Sequence, residues 1–169
     1  MFDIYLTDTY VPELESDVQA LYGRICIDKF SETFTASLVH WSPAQYEQHW
    51  EKALKRVVED RNNSALITSY VTPDLEKFLI WWPVYLEGDA VYIQNELLIY
   101  SQLSEPFSIE RPWDSLRPRQ STDPEGNSIS EWSTTLESLQ ECLDRLRERN
   151  KSQGDVAPER LPASSKSSN

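Results

Sequence analysis

Residues 78–100 read FLIWWPVYLEGDAVYIQNELLIY and hold two apolar runs separated by Glu87-Gly88-Asp89. Short apolar runs rich in β-branched and aromatic residues are typical of buried strands, and a glycine-containing turn between them predicts a β-hairpin. The first strand is therefore expected from Phe78 to Tyr85 and the returning strand from Ala90 to Tyr100. Proline cannot donate a backbone hydrogen bond, so Pro83 is expected near the end of its strand or at a sheet edge.

Two adjacent tryptophans, Trp81 and Trp82, lie within the first of these strands. Neighbouring side chains of a strand point to opposite faces, so one indole is expected in the core and the other on the far face. That second indole is either buried under a helix or part of a binding surface, since tryptophan is frequent in interface hot spots. Trp113, in the proline-rich stretch 101–127, is open to two similar interpretations, a loop anchor or an exposed contact.

Capping signals predict two helices. Ser42-Pro43-Ala44-Gln45 is a capping box with proline at the first helical position. One face of the helix that follows is apolar and consists of Tyr46, Trp50, Ala53, Leu54 and Val57. A second capping box, Thr134 to Glu137, precedes a closing helix with leucines at 136, 139, 143 and 146.

The order of the remaining elements indicates the fold class. Strand patterns occur at 2–7, 25–27, 30–38 and 65–71, and a further short strand is expected at 128–132. Strands in consecutive blocks predict an α+β fold, here a largely antiparallel β-sheet with two main helices packed on it. Residues 1–149 are predicted to form one domain. Residues 150–169 are predicted to be a disordered polar tail, because they carry too little apolar surface to offset the entropy of ordering.

The chain is strongly acidic, with 28 Asp and Glu against 16 Lys and Arg, a net charge of −12 and a pI near 4.6. This balance opposes a nucleic-acid binder or a binder of anionic membranes, since both need a basic footprint, and favours a basic partner. The charge is uneven: residues up to Glu110 contain 18 acids and 7 bases, and the remainder contains 10 acids and 9 bases.

Residues for catalysis or metal binding are scarce. Cys26 and Cys142 lie in apolar patterns and are expected to be buried thiols, and His40 and His49 are too far apart to match a zinc motif. No metal, no cofactor and no catalytic residue is therefore predicted, although a hydrolase using an unrecognised carboxylate pair stays an alternative. With no signal peptide and no apolar stretch of membrane-spanning length, the chain is expected to be cytoplasmic.

Four stretches resemble the immunity proteins of bacterial contact-dependent growth inhibition (CDI) systems. They are SPAQYEQHWEKALKRVVED (42–60), NSALITSYVTP (63–73), the hairpin sequence 78–100, and PFSIERPWDSLRPRQSTDPEGNSISEWSTTLESLQECL (106–143). The likeness extends over about residues 2–146, and its most specific pieces are 81–85, 92–94 with Leu97-Leu98, and 129–132. These pieces have the character of fold-defining residues and not of a catalytic signature.

The resemblance implies a function. Such a protein is made in the cytoplasm of the cell that deploys the toxin, binds the C-terminal toxin domain of a large exoprotein and neutralises it, and is not an enzyme. The toxins of these systems are often nucleases, ribonucleases among them. The resemblance implies no particular toxin and no binding residue by position, because immunity proteins diverge at their contact surfaces.

Charge alone suggests which residues contact a toxin. A nuclease needs a positive surface for phosphates, and an acidic protein can cover such a surface. The candidates are acids near the N-terminus and at the hairpin turn together with one indole: Asp8, Glu13, Glu15, Asp17, Glu87, Asp89 and Trp82. The alternative function is a small acidic adaptor or regulatory module of an unrelated pathway, with Trp81 or Trp82 as its anchor.

Overall fold

The computed structural model describes residues 1–12 and 19–154, so Glu13, Glu15, Asp17 and the segment 155–169 lie outside it. In chain order the elements are β1 (Phe2–Tyr10), β2 (Ala20–Ile27), β3 (Phe30–Ser37), α1 (Pro43–Val58), β4 (Ser64–Ser69), β5 (Phe78–Glu87), β6 (Ala90–Gln94), β7 (Glu96–Ile99), β8 (Glu131–Thr135) and α2 (Leu136–Gly154). The α+β prediction is confirmed, and the strands form two antiparallel sheets.

The first sheet has the order β1-β2-β3 and is built from two consecutive hairpins. Phe2 and Ile4 of β1 are buried and Leu6 is partly buried on the same face, as the period-two pattern predicts, whereas the end of the strand is exposed. Gly23 of β2 lies directly opposite Phe34 of β3, and the Phe34 ring covers the glycine. A Cβ at position 23 would lie 2.3 Å from that ring, so this pair requires glycine.

The second sheet has the order β4-β5-β6-β8, and β7 also pairs with β5. The hairpin predicted for residues 78–100 is confirmed: Glu87 pairs with Ala90 across a two-residue turn, in which Gly88 has a φ of +62°. Glycine reaches this left-handed conformation without the steric cost that a side chain would impose. The returning strand is interrupted at Asn95, which divides it into β6 and β7.

Pro83 explains the interruption. It lies inside β5, which has neighbours on both sides, and so is neither at a strand end nor at a sheet edge as we expected. The register that joins β5 to β6 and to β7 is the same, and it places Pro83 opposite Gln94. Proline has no N–H to donate to Gln94, so the hydrogen-bond ladder with β5 is interrupted between β6 and β7.

Both helices are present. The Ser42 capping box is confirmed, since Ser42 Oγ accepts from the Gln45 amide and Gln45 Oε1 accepts from the Ser42 amide. The second predicted capping box is wrong, because the cap is one residue later and has no reciprocal side-chain bond within the described residues. Thr135 Oγ1 accepts from the Ser138 amide at 3.1 Å, whereas Thr134 belongs to β8 and is buried.

Helix α2 also extends further than the leucine pattern indicated. Residues 150–154, which we assigned to the tail, are helical because polar contacts with α1 replace the leucine stripe. Asn150 donates to Glu51, and Gln153 donates to Glu47 at 3.1 Å. The two helices run antiparallel and pack together, α1 on β4 and α2 on β1. Neither is long and apolar enough to cross a membrane.

Candidate interaction surfaces

The hairpin turn carries two of the acids that charge suggested as contacts, and both are already paired. Arg61 donates to Asp89 at 2.9 Å and to the carbonyl of Gly88 at 2.9 Å. Arg119 donates to Glu87 at 3.0 Å. The two carboxylates remain exposed, but Arg61 and Arg119 offset much of their charge, although Arg119 is shared with Glu131, so the turn is a weaker negative patch than its sequence suggests.

Arg119 ties the long connection between β7 and β8 to the sheet. Its guanidinium pairs with Glu131 at 2.6 Å and stacks on the ring of Tyr92, 3.6 Å from the centroid. Hydrogen bonds from Arg119 hold the pKa of Glu131 below its usual value. Gln94 adds a bond to the Gln120 carbonyl at 2.9 Å. These groups serve the fold, and Glu87 is part of the same cluster.

Asp8 is exposed near the end of β1 and forms no ion pair within the described residues. The strand ladder places this end of β1 beside Leu21 and Ala36, and Tyr46 in the first turn of α1 donates to Ser37. The hairpin turn instead adjoins the far end of α1, because Arg61 contacts it. Sixteen helical residues span about 24 Å, so Asp8 and the hairpin turn do not form one surface.

The paired tryptophans are buried on both faces. Trp81 is 2% exposed and Trp82 is 0% exposed. Phe30 and Trp132 cover Trp82, with its ring centroid 5.6 Å from that of Trp132. The predicted two-sided burial is thus what the structure shows, but Phe30 of β3 and Trp132 of β8 cover Trp82, and not a helix as expected. The assignment of Trp82 as a toxin contact is wrong, because no part of it reaches the surface.

Trp113 fits the loop-anchor interpretation. It is half-buried, and the Lys52 Nζ and the Arg56 guanidinium of α1 lie 5.4 Å and 5.0 Å from its ring centroids. These cation–π contacts attach the segment around Pro112–Ser115 to the helix. The indole thereby fixes the course of the connection over the sheet.

The histidines and cysteines have structural surroundings. His49 Nε2 accepts from the Ile67 amide, and burial lowers the pKa of His49 to about 3. Neither cysteine forms a disulfide; Cys142 is buried as predicted, whereas Cys26 is only partly buried because it lies on the outward face of β2. Burial raises the pKa of the Cys142 thiol to about 12, so it is not a thiolate at neutral pH. Residues 1–12 and 19–154 contain no cluster of three or more His, Cys, Asp or Glu side chains that could hold a metal ion.

Three arginines of the C-terminal helix form ion pairs within the molecule. Arg145, Arg147 and Arg149 of α2 pair with acids of the first 60 residues, namely Asp3, Glu47, Glu51 and Glu59. The acids of residues 1–110 that form no ion pair within the described residues are Asp8, Glu32, Asp60, Asp74, Glu76, Glu96, Glu105 and Glu110.

The sequence did not indicate a cleft of about 470 Å³ beside β7. One wall is the strand itself with Trp81 and Tyr85 of β5 behind it, and the other is the segment 115–130. The cleft is lined by three acids, Glu96, Asp123 and Glu125, and one base, Arg117. Burial raises the pKa of Glu96, with Arg117 acting in the opposite direction. The sequence ELLIY predicted a strand here, but it could not indicate that the outer backbone edge of β7 has no neighbouring strand within the described residues.

Comparison with known proteins places the chain in a family. A family model described as the CdiI N-terminal domain matches residues 36–142. The immunity protein CdiI of Enterobacter cloacae subsp. cloacae is 31% identical over 117 residues, which are 69% of this chain and 80% of that protein.

A solved structure agrees with the sequence comparisons. A chain of the CdiA-CT/CdiI toxin and immunity complex from Enterobacter cloacae superposes with a TM-score of 0.77 at 28% identity, over 88% of this chain and 99% of that one. The resemblance to CDI immunity proteins is thereby confirmed. The chain belongs to the CdiI family of immunity proteins.

Proposed function

We propose that this protein binds the C-terminal toxin domain of its cognate CDI exoprotein and neutralises it by forming a stoichiometric complex in the cytoplasm. The observation that carries the proposal is the match, over nearly the whole fold, to a chain from a toxin and immunity complex. Inhibition by binding requires no turnover, so we propose no catalytic role for any residue.

The charge of the chain supports a basic partner. The toxin is proposed to be a nuclease, because a nuclease must present positive charge to bind phosphates and would be attracted by a protein with a net charge of −12. Complementary charge raises association rate constants toward about 10⁸–10⁹ M⁻¹s⁻¹ at low salt, from about 10⁵–10⁶ M⁻¹s⁻¹ for neutral pairs. Rapid capture is valuable when an incoming enzyme acts on many substrate molecules.

We judge the proposed contact residues by whether each acid is exposed and whether it already forms an ion pair. Asp8 is retained as a candidate because it is exposed and forms no ion pair within the described residues. Glu13, Glu15 and Asp17 stay candidates on charge alone. Glu87 and Asp89 are exposed, but a toxin that binds them must share them with Arg119 and Arg61.

The test is co-expression with the toxin domain encoded beside this chain's gene. Cells should survive when the chain is present, and titration calorimetry of the purified proteins should give about one chain per toxin domain. The matched control is the toxin domain of a different CDI system, which the chain should neither bind nor neutralise. Death of cells that contain soluble chain and its neighbouring toxin would contradict the proposal.

A further inference from the structure

Helix side chains cover the outer backbone edges of two strands. At β4, Ile67 donates to His49 at 2.9 Å and accepts from the Trp50 indole at 2.8 Å. At β1, the carbonyls of Phe2 and Ile4 accept from Arg145 and Arg149. An exposed edge presents unpaired N–H and C=O groups that can pair with another chain, and these contacts remove that opportunity.

Among the residues that the structure describes, none covers the outer edge of β7 in this way. Tyr100 donates to the Lys77 carbonyl, and the register then directs the backbone groups of Leu98 and Glu96 toward β5. The alternate residues, Leu97 and Ile99, therefore direct their N–H and C=O groups away from β5 and into the cleft. Within residues 1–12 and 19–154, β5 is the one strand that pairs with β7.

The course of the neighbouring segment explains why this edge is open. Asn95 still donates to the Ser130 carbonyl at 3.4 Å, in register with the β6–β8 ladder. Continuing that register would bring the chain near 128 alongside Leu97. The chain instead folds back at a bridge between Thr122 and Ser128, which leaves the cleft where a partner strand would lie.

The side chains around β7 determine which kind of strand can bind in the cleft. Leu97 is 54% exposed and shares a face with Ile99, Ile80 and Phe78, which is 38% exposed. Glu96 points to the other face, and the acids Asp123 and Glu125 line the opposing wall. A strand entering the cleft would meet Leu97 and Ile99 on one face and Glu96 beside Leu98 on the other, where the acids of the lining outnumber its one base, Arg117.

We propose that an extended segment of the cognate toxin domain adds to the sheet at β7, pairing with the backbone groups of Leu97 and Ile99. Apolar side chains of that segment pack on Leu97 and Ile99, and basic side chains on its other face meet Glu96, Asp123 and Glu125. Strand addition of this kind takes affinity from main-chain hydrogen bonds and specificity from alternate side chains. The inference rests on the proposed function, since it concerns how the same partner is held.

Amide hydrogen exchange, measured by NMR on the full chain alone and bound to the neighbouring toxin domain, tests the pairing directly. The Leu97 and Ile99 amides should exchange rapidly in the unbound chain and about 100-fold more slowly in the complex. The Leu98 amide, already bonded toward β5, is the internal control and should be protected in both states. A complex that forms while the Leu97 and Ile99 amides stay unprotected would overturn strand addition but leave the proposed function intact.

A proline substitution gives a second, independent measurement. Leu97→Pro removes an N–H that the fold does not use, and its ring obstructs an incoming strand, so affinity for the toxin domain should fall by about 30-fold or more. Leu97→Val keeps the N–H and loses only one methylene of the proposed apolar contact, so its affinity should fall much less than that of Leu97→Pro. Both variants must show the parent's circular dichroism and melting temperature; should Leu97→Pro unfold, the exchange measurement decides.

Two further outcomes count against the proposal. If the chain alone sediments as a dimer in which the Leu97 and Ile99 amides are protected, the edge is occupied by a second copy of the chain. If Leu97→Pro binds the toxin domain as tightly as Leu97→Val, the main-chain edge contributes nothing to the complex. Absence of any complex with the parent chain would instead contradict the proposed function itself.

Discussion

The imidazole of His49 on α1 and the amide of Ile67 on β4 are joined by a hydrogen bond of 2.9 Å, in which Nε2 is the acceptor. An acceptor nitrogen must be unprotonated, so His49 is neutral in the folded protein. Burial lowers its pKa to about 3, with a smaller contribution from the positive charge of Lys52. This bond, together with the one from the Trp50 indole to the Ile67 carbonyl, attaches the helix to the strand, and the histidine makes stability depend on pH.

We expect the free energy of unfolding to decrease between pH 7 and pH 5. An unfolded histidine takes up a proton below about pH 6.5, and His49 in the folded chain does not do so until about pH 3. Acid therefore favours the unfolded state, by about 2 kcal/mol at pH 5 from this group, at about 1.4 kcal/mol per pH unit. Urea titrations at a series of pH values measure the slope.

The matched variant for that slope is His49→Gln, whose amide oxygen can accept the Ile67 hydrogen bond without titrating. Its stability should change by less than about 0.5 kcal/mol over the same pH range, since ordinary carboxylates titrate below pH 5. An equal slope in the variant and in the parent chain would show that the pH dependence comes from other groups.

Gly23→Ala should destabilise the first sheet. The added methyl group would lie 2.3 Å from the Phe34 ring, so the ring must move from its packed position against Trp50. Overpacking of this kind costs about 1–3 kcal/mol, which thermal or urea unfolding resolves readily. Combining Gly23→Ala with Phe34→Leu removes the clashing ring atoms. If the second substitution adds its own penalty and restores nothing, the clash is not the cause.

Local patterns predicted much of this fold. The Ser42 capping box and the apolar stripe from Tyr46 to Val57 depend on residues three or four apart, and the hairpin at 78–100 depends on adjacent runs and one turn. Such signals are complete within a short window of sequence. For the same reason, the two-sided burial of Trp81 and Trp82 could be considered from strand alternation alone.

The rest depends on contacts between distant parts of the chain. Pro83 suggested an edge position, yet it lies in a central strand. The central strand tolerates the proline because the hydrogen bond that it cannot donate falls next to the break between β6 and β7 at Asn95. Glu87 is exposed as its sequence suggests, but the fold places Arg119, 32 residues later, beside it and so pairs its charge. The open edge of β7 likewise results from where residues 122–128 turn, which no property of Glu96–Ile99 encodes.

Removing Arg149 should leave a poorly solvated carboxylate at the helix interface. The Glu47 side chain is 10% exposed and is held by Arg149 at 3.4 Å and by Gln153. Arg149→Met should cost about 2 kcal/mol of stability, less than a fully buried pair because the arginine itself is partly exposed. The double variant with Glu47→Gln should recover most of the loss.

The control for this pair is Lys151→Met, which removes a positive charge from an exposed position on the same helix. It should change stability by less than about 0.5 kcal/mol. A loss in Lys151→Met as large as that in Arg149→Met would indicate a general charge effect on α2 and not a specific ion pair.

Charge-reversal variants should identify the acids that contact the toxin. Glu125→Lys on the cleft wall and Glu141→Lys on α2 change the net charge equally, and α2 contributes no residue to the cleft. Long-range attraction depends on total charge, so both variants should slow association by about twofold to threefold at low salt. Local contact depends on position, so Glu125→Lys should also speed dissociation about tenfold, whereas Glu141→Lys should leave it unchanged. Stopped-flow or surface-binding kinetics at two salt concentrations separate the two effects.

Asp8→Lys is the third variant of this comparison. Faster dissociation in that variant alone would place the interface at β1 and away from the cleft.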